Sequence, residues 1–234
     1  MPDGDRTPGP AVPVQGSRGV ATGPGMSVGR LEAFSDGVLA IVITLLILEI
    51  HVPEPGGSEG GLGEALAKQW PHYVAFLLSF LVVGIIWLNH HATFNLVERT
   101  DHRMQVLNLL LLLPVTVLPW PTDLLATYAV VGTRSEQRIA VLVYGLTSTA
   151  MAVAFNVLWR YLRRHTELHK PHVSEELLAV RNQRYNLGLA VYPVATAIGL
   201  ISVPLFMAIM LALALLYLLP TPEVRGAPEG DQPQ

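Results

Sequence analysis

Apolar positions gather into long runs along this chain, and polar positions are confined mostly to short gaps between them. A helix needs about 20 apolar residues to cross a bilayer, with about 17 as the lower limit. Runs of that kind predict spans from Phe34 to Ile50, His72 to Asn89, Gln105 to Thr127 and Ile139 to Trp159. Pro53, Pro55 and the glycines at 56 and 57 close the first, since neither residue type continues a helix well. The third contains Pro114, Pro119 and Pro121. The stretch Tyr185 to Leu219 is too long for one span and is broken near Ser202-Val203-Pro204, so it divides into Asn186 to Ile201 and Pro204 to Leu219. The pattern therefore predicts an all-α membrane protein with six transmembrane helices in one domain, residues 30–220. A Gly- and Pro-rich tail, residues 1–29, precedes it and a short tail, residues 221–234, follows. The first tail has no apolar core of the signal-peptide kind and is expected to be disordered.

Composition agrees with that class. The chain is 51% hydrophobic and 14% charged, against about 25% charged in soluble domains. A net charge of −3, with no basic stripe carrying interleaved aromatics, argues against a nucleic-acid partner. With no cysteine, disulfides, thiol nucleophiles and thiolate metal sites are excluded.

Lys and Arg collect on cytoplasmic loops of membrane proteins. With the N-terminus inside, Arg6, Arg18, Arg30, Arg99, Arg103, Arg160, Arg163, Arg164, Lys170, Arg181, Arg184 and Arg225 fall on the inner side, and only Lys68, Arg134 and Arg138 on the outer. Six spans then put both termini in the cytoplasm, and the expected location is the plasma membrane. The first outer loop carries Glu54, Glu59 and Glu64, which either steer cations or merely solvate the loop.

The first predicted helix carries the chemistry. At about 100° per residue, Arg30, Gly37, Ile41, Thr44, Leu45 and Leu48 fall within about 60° of Ile41 and form one stripe. Asp36 falls on the opposite side with Ile43 and Ile47, so it should face neighbouring helices and need a partner there. An acid beside an otherwise apolar span is costly and marks a functional position. Two simpler readings stand beside these: Ile and Leu at helical spacing also pack against lipid or helices, and Ser35 and Asp36 also suit a helix N-cap. Trp87, His90 and His91 share one face at the end of the second predicted helix, at the depth expected for Asp36. An indole N–H and an imidazole can each donate to a carboxylate, and Asn108 lies at similar depth. Interfacial anchoring also accounts for the tryptophan.

Taken together, Arg30-x-x-x-Phe34-Ser35-Asp36-Gly37, then Ala40-Ile41-x-x-Thr44-Leu45-Leu46-x-Leu48-Glu49, resemble the first-helix signature of bacterial relatives in the transmembrane protein 175 family. Trp87-x-x-His90-His91, Asn108 with its following leucines, and Pro119-Trp-Pro121-Thr122 extend the resemblance. It implies a homotetrameric, modestly potassium-selective cation channel, with potassium ions, lipid and three further copies of the chain as partners and no cofactor or resident metal. It implies a central pore lined by the first helices and narrowed by Ile41, Leu45 and Leu48, with Thr44 adding a hydroxyl ring. It also implies that Ser35 and Asp36 bond with Trp87, His90 and Asn108, in a motif that includes Arg30, Phe34 and Gly37. No Thr-Val-Gly-Tyr-Gly filter segment is present. Three other classes compete, one of them a structural or assembly subunit without transport. A proton-coupled secondary transporter of small cations would use Asp36 and the histidines as a relay, but no internal repeat supports it. An enzyme would need convergent catalytic groups, and the eight histidines show no evident metal or nucleophile set; His51, His102, His165, His169 and His172 are expected in solvated loops.

Overall fold

In the computed structural model, residues 26–56, 59–171 and 173–219 are described. The two tails, apart from residues 26–29, and His172 lie outside the described residues. The described chain is helical: α1 (Val28–Leu45), continued by a 3₁₀ turn (Leu46–Glu49), α2 (Gly61–Lys68), α3 (Trp70–Phe94), α4 (His102–Val117), α5 (Pro119–Val131), α6 (Arg134–Arg164), α7 (Glu175–Gly199) and α8 (Val203–Leu218).

Helix ends follow local chemistry. Ser27 caps α1, its hydroxyl accepting from the Arg30 N–H, so the helix starts well before Phe34, and Ser35 and Asp36 lie two turns inside it rather than at its cap. The third predicted span becomes two helices. Pro114 lies inside α4, and the chain restarts at Pro119, whose missing N–H costs nothing at a first helical position. Thr133 and Glu136 form a reciprocal capping box, which carries α6 beyond Ile139 at one end, while Arg163 and Arg164 occupy its last turn. Glu64, expected in a loop, sits on the short α2, paired with Lys68 at 2.6 Å.

Four segments are long and apolar enough to cross a membrane: 28–49, 70–94, 102–131 and 134–164. The α8 helix is apolar but has only 16 residues. The α7 helix has 25 residues, and Glu175, Glu176, Arg181 and Arg184 make its first half polar.

The α1 helix packs on α3 and α4, α4 and α5 pack on α6, and α7 packs along α6. The α6–α7 contact is close because Gly145 carries no side chain: a Cβ there would lie 2.1 Å from Thr196 Oγ1. Small residues of this kind let membrane helices approach. At the end of the molecule that holds the α1 N-terminus, the loop after α3 and the loop after α6 join through a Val97–His169 bridge, with Glu98 N–H donating to the Leu168 carbonyl at 2.8 Å.

Two apolar cores share α1. Leu31 belongs to one, with Phe94, Met104, Leu111 and Trp159. Leu39, Val42 and Leu46 belong to the other, with Val83, Leu112 and Phe206. Ser35 falls between them on α1, His90 between Val83 and Phe94 on α3, and Asn108 between Met104 and Leu112 on α4.

Candidate pore-lining face and the polar network behind it

The boundary between the two cores holds a chain of hydrogen bonds. Ser35, His90 and Asn108 are each 0% exposed. Asn108 Nδ2 donates to Ser35 Oγ at 2.8 Å, and Ser35 Oγ donates to the Leu31 carbonyl at 2.9 Å. His90 Nε2 lies 2.9 Å from Asn108 Oδ1. A carboxamide oxygen only accepts, so His90 Nε2 carries the proton. The imidazole stacks on Phe94, with ring centroids 4.1 Å apart, and its Nδ1 is buried with no hydrogen-bond partner. These three side chains tie α1, α4 and α3 together at one depth, where burial without partners would cost about 1–3 kcal/mol per group.

Asp36 does not join that chain. Trp87 Nε1 donates to Asp36 Oδ1 at 3.0 Å, while His90 bonds Asn108 and His91 Nδ1 lies 2.9 Å from Glu32 Oε1. The set that the resemblance treats as one network is therefore divided. Ser35, Asn108 and His90 form a buried branch, and Asp36 with Trp87 forms a branch on a flank of α1 that is only half-buried. The reason is angular, since Ser35 and Asp36 point about 100° apart on a helix. Asp36 and Trp87 border a small cavity between α1 and α3, lined also by Leu39, Ala40, Ile43 and Gly84.

The other side of α1 is bare. Ile41 is 60% exposed, Leu45 41% and Leu48 66%, and Arg30, Phe34, Gly37 and Thr44 are also exposed. Thr44 Oγ1 donates to the Ile41 carbonyl at 2.8 Å, and so leaves its lone pairs outward. A Cβ on Gly37 would meet no atom within 4 Å, so packing within the chain gives no reason for a glycine there. Arg30 stands on the bare face rather than in the buried branch.

A second polar cluster went unnoticed in the sequence. Ser79 Oγ lies 2.7 Å from Thr122 Oγ1 and 3.0 Å from the Tyr144 hydroxyl, all three buried. It joins α3, α5 and α6 in the other core. Its signal in the sequence was weak, one serine within an apolar run and a threonine after two prolines. His51, His72 and Asp123 also bring one ligand atom each within 4.8 Å of one another, where no metal-binding set was expected. They escaped notice because they stand on three separate segments with no ligand spacing.

Residues 30–119 match the family model described as endosomal/lysosomal potassium channel TMEM175. The chain is 47% identical over 189 residues to a Streptomyces collinus protein named as a potassium channel, covering 81% of this chain and 90% of that one. It resembles the crystal structure of a lysosomal potassium-selective channel TMEM175 homolog from Chamaesiphon minutus, with a TM-score of 0.70 and 41% identity over 81% of this chain and 95% of that chain. It also matches the Gallus gallus protein named endosomal/lysosomal proton channel TMEM175, 42% identical over 111 residues that make up 22% of that longer protein. High identity over nearly the whole length of a bacterial relative, with the first-helix motif and its partner helices inside the matched region, makes this chain a member of the TMEM175 family.

Proposed function

We propose that this chain is the protomer of a potassium channel of the plasma membrane. Six helices, α1, α3, the α4–α5 pair, α6, α7 and α8, cross the bilayer, with both termini in the cytoplasm. Four copies assemble about an axis lined by α1, and the aliphatic ring at Ile41, Leu45 and Leu48 is the barrier to ions.

The observation that carries this reading is the asymmetry of α1. Its polar anchors and half of its aliphatic side chains bind it into the protomer, while Ile41, Leu45 and Leu48 stay exposed in one stripe with Thr44, Gly37 and Arg30. A stripe that faced only lipid would have no use for an arginine, a glycine and a threonine. The names borne by near full-length bacterial relatives supply the permeating ion.

A ring of four isoleucines offers an ion no ligand, so it closes by shedding water when narrow. Dehydration costs less for potassium than for the smaller sodium ion, so modest selectivity follows from size alone. Slight rotation or widening of α1 opens the ring, and Thr44, one turn along, then presents oxygen to the ion. Asp36–Trp87 and Ser35–Asn108–His90 set the rotation about the helix axis, and so set which residues meet at the centre.

Planar-bilayer recording of the purified protein tests the reading. Wild-type protein passes potassium current whose reversal potential follows the potassium gradient, and Ile41→Asn raises conductance or slows closure. Unchanged currents in Ile41→Asn would remove the gate from this position. A reversal potential that followed pH instead of potassium would favour proton transport.

A further inference from the structure

At the end of α1 opposite the buried branch, three separate segments converge. His51 follows the 3₁₀ turn that ends the first span, His72 lies in the first turn of α3, and Asp123 lies near the start of α5. We propose that His51, His72 and Asp123 form a site for a divalent transition metal of the zinc class.

His72 Nε2 lies 3.8 Å from Asp123 Oδ1. That is too long for a hydrogen bond, which falls at about 2.7–3.2 Å. It is close to the edge of about 3.4 Å that separates two ligands around tetrahedral zinc with bonds near 2.1 Å. The rings of His51 and His72 stand edge to face, 85° apart with centroids at 6.4 Å, so they converge on shared space and do not stack. One donor atom from each of the three residues lies within 4.8 Å of the others. The ligating nitrogen of His72 is Nε2, the one nearer Asp123, while its Nδ1 is buried without a hydrogen-bond partner. An ion pair between His72 and Asp123 would explain two of the three residues and would leave the arrival of His51 without a cause.

The donor set selects the metal. Two imidazole nitrogens and one carboxylate oxygen suit zinc, copper or nickel and disfavour magnesium and calcium, which prefer oxygen ligands alone. Three protein ligands leave a fourth position for water, the open form of a zinc site. Glu49 lies on that 3₁₀ turn, two residues before His51. One consequence of the site rests on the pore reading: a metal here staples the end of the pore-facing segment to α3 and α5 and resists rotation of α1. The site itself does not depend on that reading.

Isothermal titration of the chelator-treated, purified full-length protein with zinc chloride tests it. One zinc per chain is expected. His51→Ala and Asp123→Asn should each weaken binding at least tenfold, and His102→Ala should leave it unchanged. Magnesium chloride should give no binding heat at the same concentrations. Size-exclusion elution identical to wild type shows that the variants are folded; His51 is exposed in a loop, so its loss spares the core. Zinc binding of equal strength in wild type, His51→Ala and Asp123→Asn would overturn the proposal, as would no binding to wild type. Zinc should also reduce the potassium current of wild type and leave that of His51→Ala unaltered. Site-dependent zinc binding in a protein that carries no potassium current would keep the metal site and remove the channel reading.

Discussion

Leu45 and Leu46 are neighbours with the same side chain, yet Leu46 is sealed at 0% exposure while Leu45 is 41% exposed. The difference repeats along α1. Leu31, Ser35, Leu39, Val42 and Leu46 form the buried face, and Phe34, Gly37, Ile41, Leu45 and Leu48 the bare one. Both faces are aliphatic, so hydropathy does not distinguish them. What separates them is where their polar side chains bond. The buried face carries Ser35, whose hydroxyl reaches Asn108 of α4, and the flank carries Asp36, whose carboxylate reaches Trp87 of α3. Directional bonds of this kind choose one rotation of the helix about its axis; aliphatic contacts alone would tolerate several. The anchored face thus supplies stability and orientation, and the bare face is left available to whatever surrounds the chain.

Paired substitutions break the comparison if it is wrong. The largest effect is expected at Leu46→Ala, which removes a sealed side chain from the larger core and should cost about 2–5 kcal/mol, read as a lowered midpoint for thermal unfolding of the purified protein. Next, Asn108→Leu removes the donor to the Ser35 oxygen, which keeps its bond to the Leu31 carbonyl, and strands the His90 Nε2–H, for a loss of about 1–3 kcal/mol. In the Ser35→Ala background the added cost of Asn108→Leu should be smaller, since one of the two bonds it breaks is already gone, and a double-mutant cycle measures that coupling. Asp36→Ala should cost about 1 kcal/mol, because the pair is half-exposed and its loss frees one indole N–H. It should weaken assembly, seen on size exclusion, more than it alters ion preference. Smallest in stability is Leu45→Ala, expected within about 0.5 kcal/mol of wild type, while its current in bilayers changes. A Leu45→Ala protein that melts as early as Leu46→Ala and conducts as wild type does would erase the distinction between the two faces.

Much of this was legible along the chain. Apolar run length located four long spans, and the helical period alone placed Ile41, Leu45 and Leu48 on one stripe with Arg30, Gly37 and Thr44. Helix ends were less legible. Capping by Ser27 and by Thr133–Glu136 and the restart at Pro119 are local signals that a hydropathy window averages away. Partner choice was less legible still. The spacing of Trp87, His90 and His91 puts them on one face of α3, but it does not say which neighbour each meets. Asp36 takes the indole, His90 turns to Asn108 and His91 to Glu32. The cluster of Ser79, Thr122 and Tyr144, and that of His51, His72 and Asp123, were not legible, because their members come from different helices or loops with no fixed separation.

By itself, then, the amino-acid order determined the membrane class, the apolar spans and the two periodic faces of the first helix. These depend on transfer of side chains from water and on a repeat of 3.6 residues, both of which are properties of neighbours in the chain. Only the packed helices decided which face is covered, how the polar side chains pair and where distant histidines meet a carboxylate. Those outcomes depend on hydrogen bonds that reach about 3 Å between residues far apart in the chain, and such distances exist only once the helices are side by side.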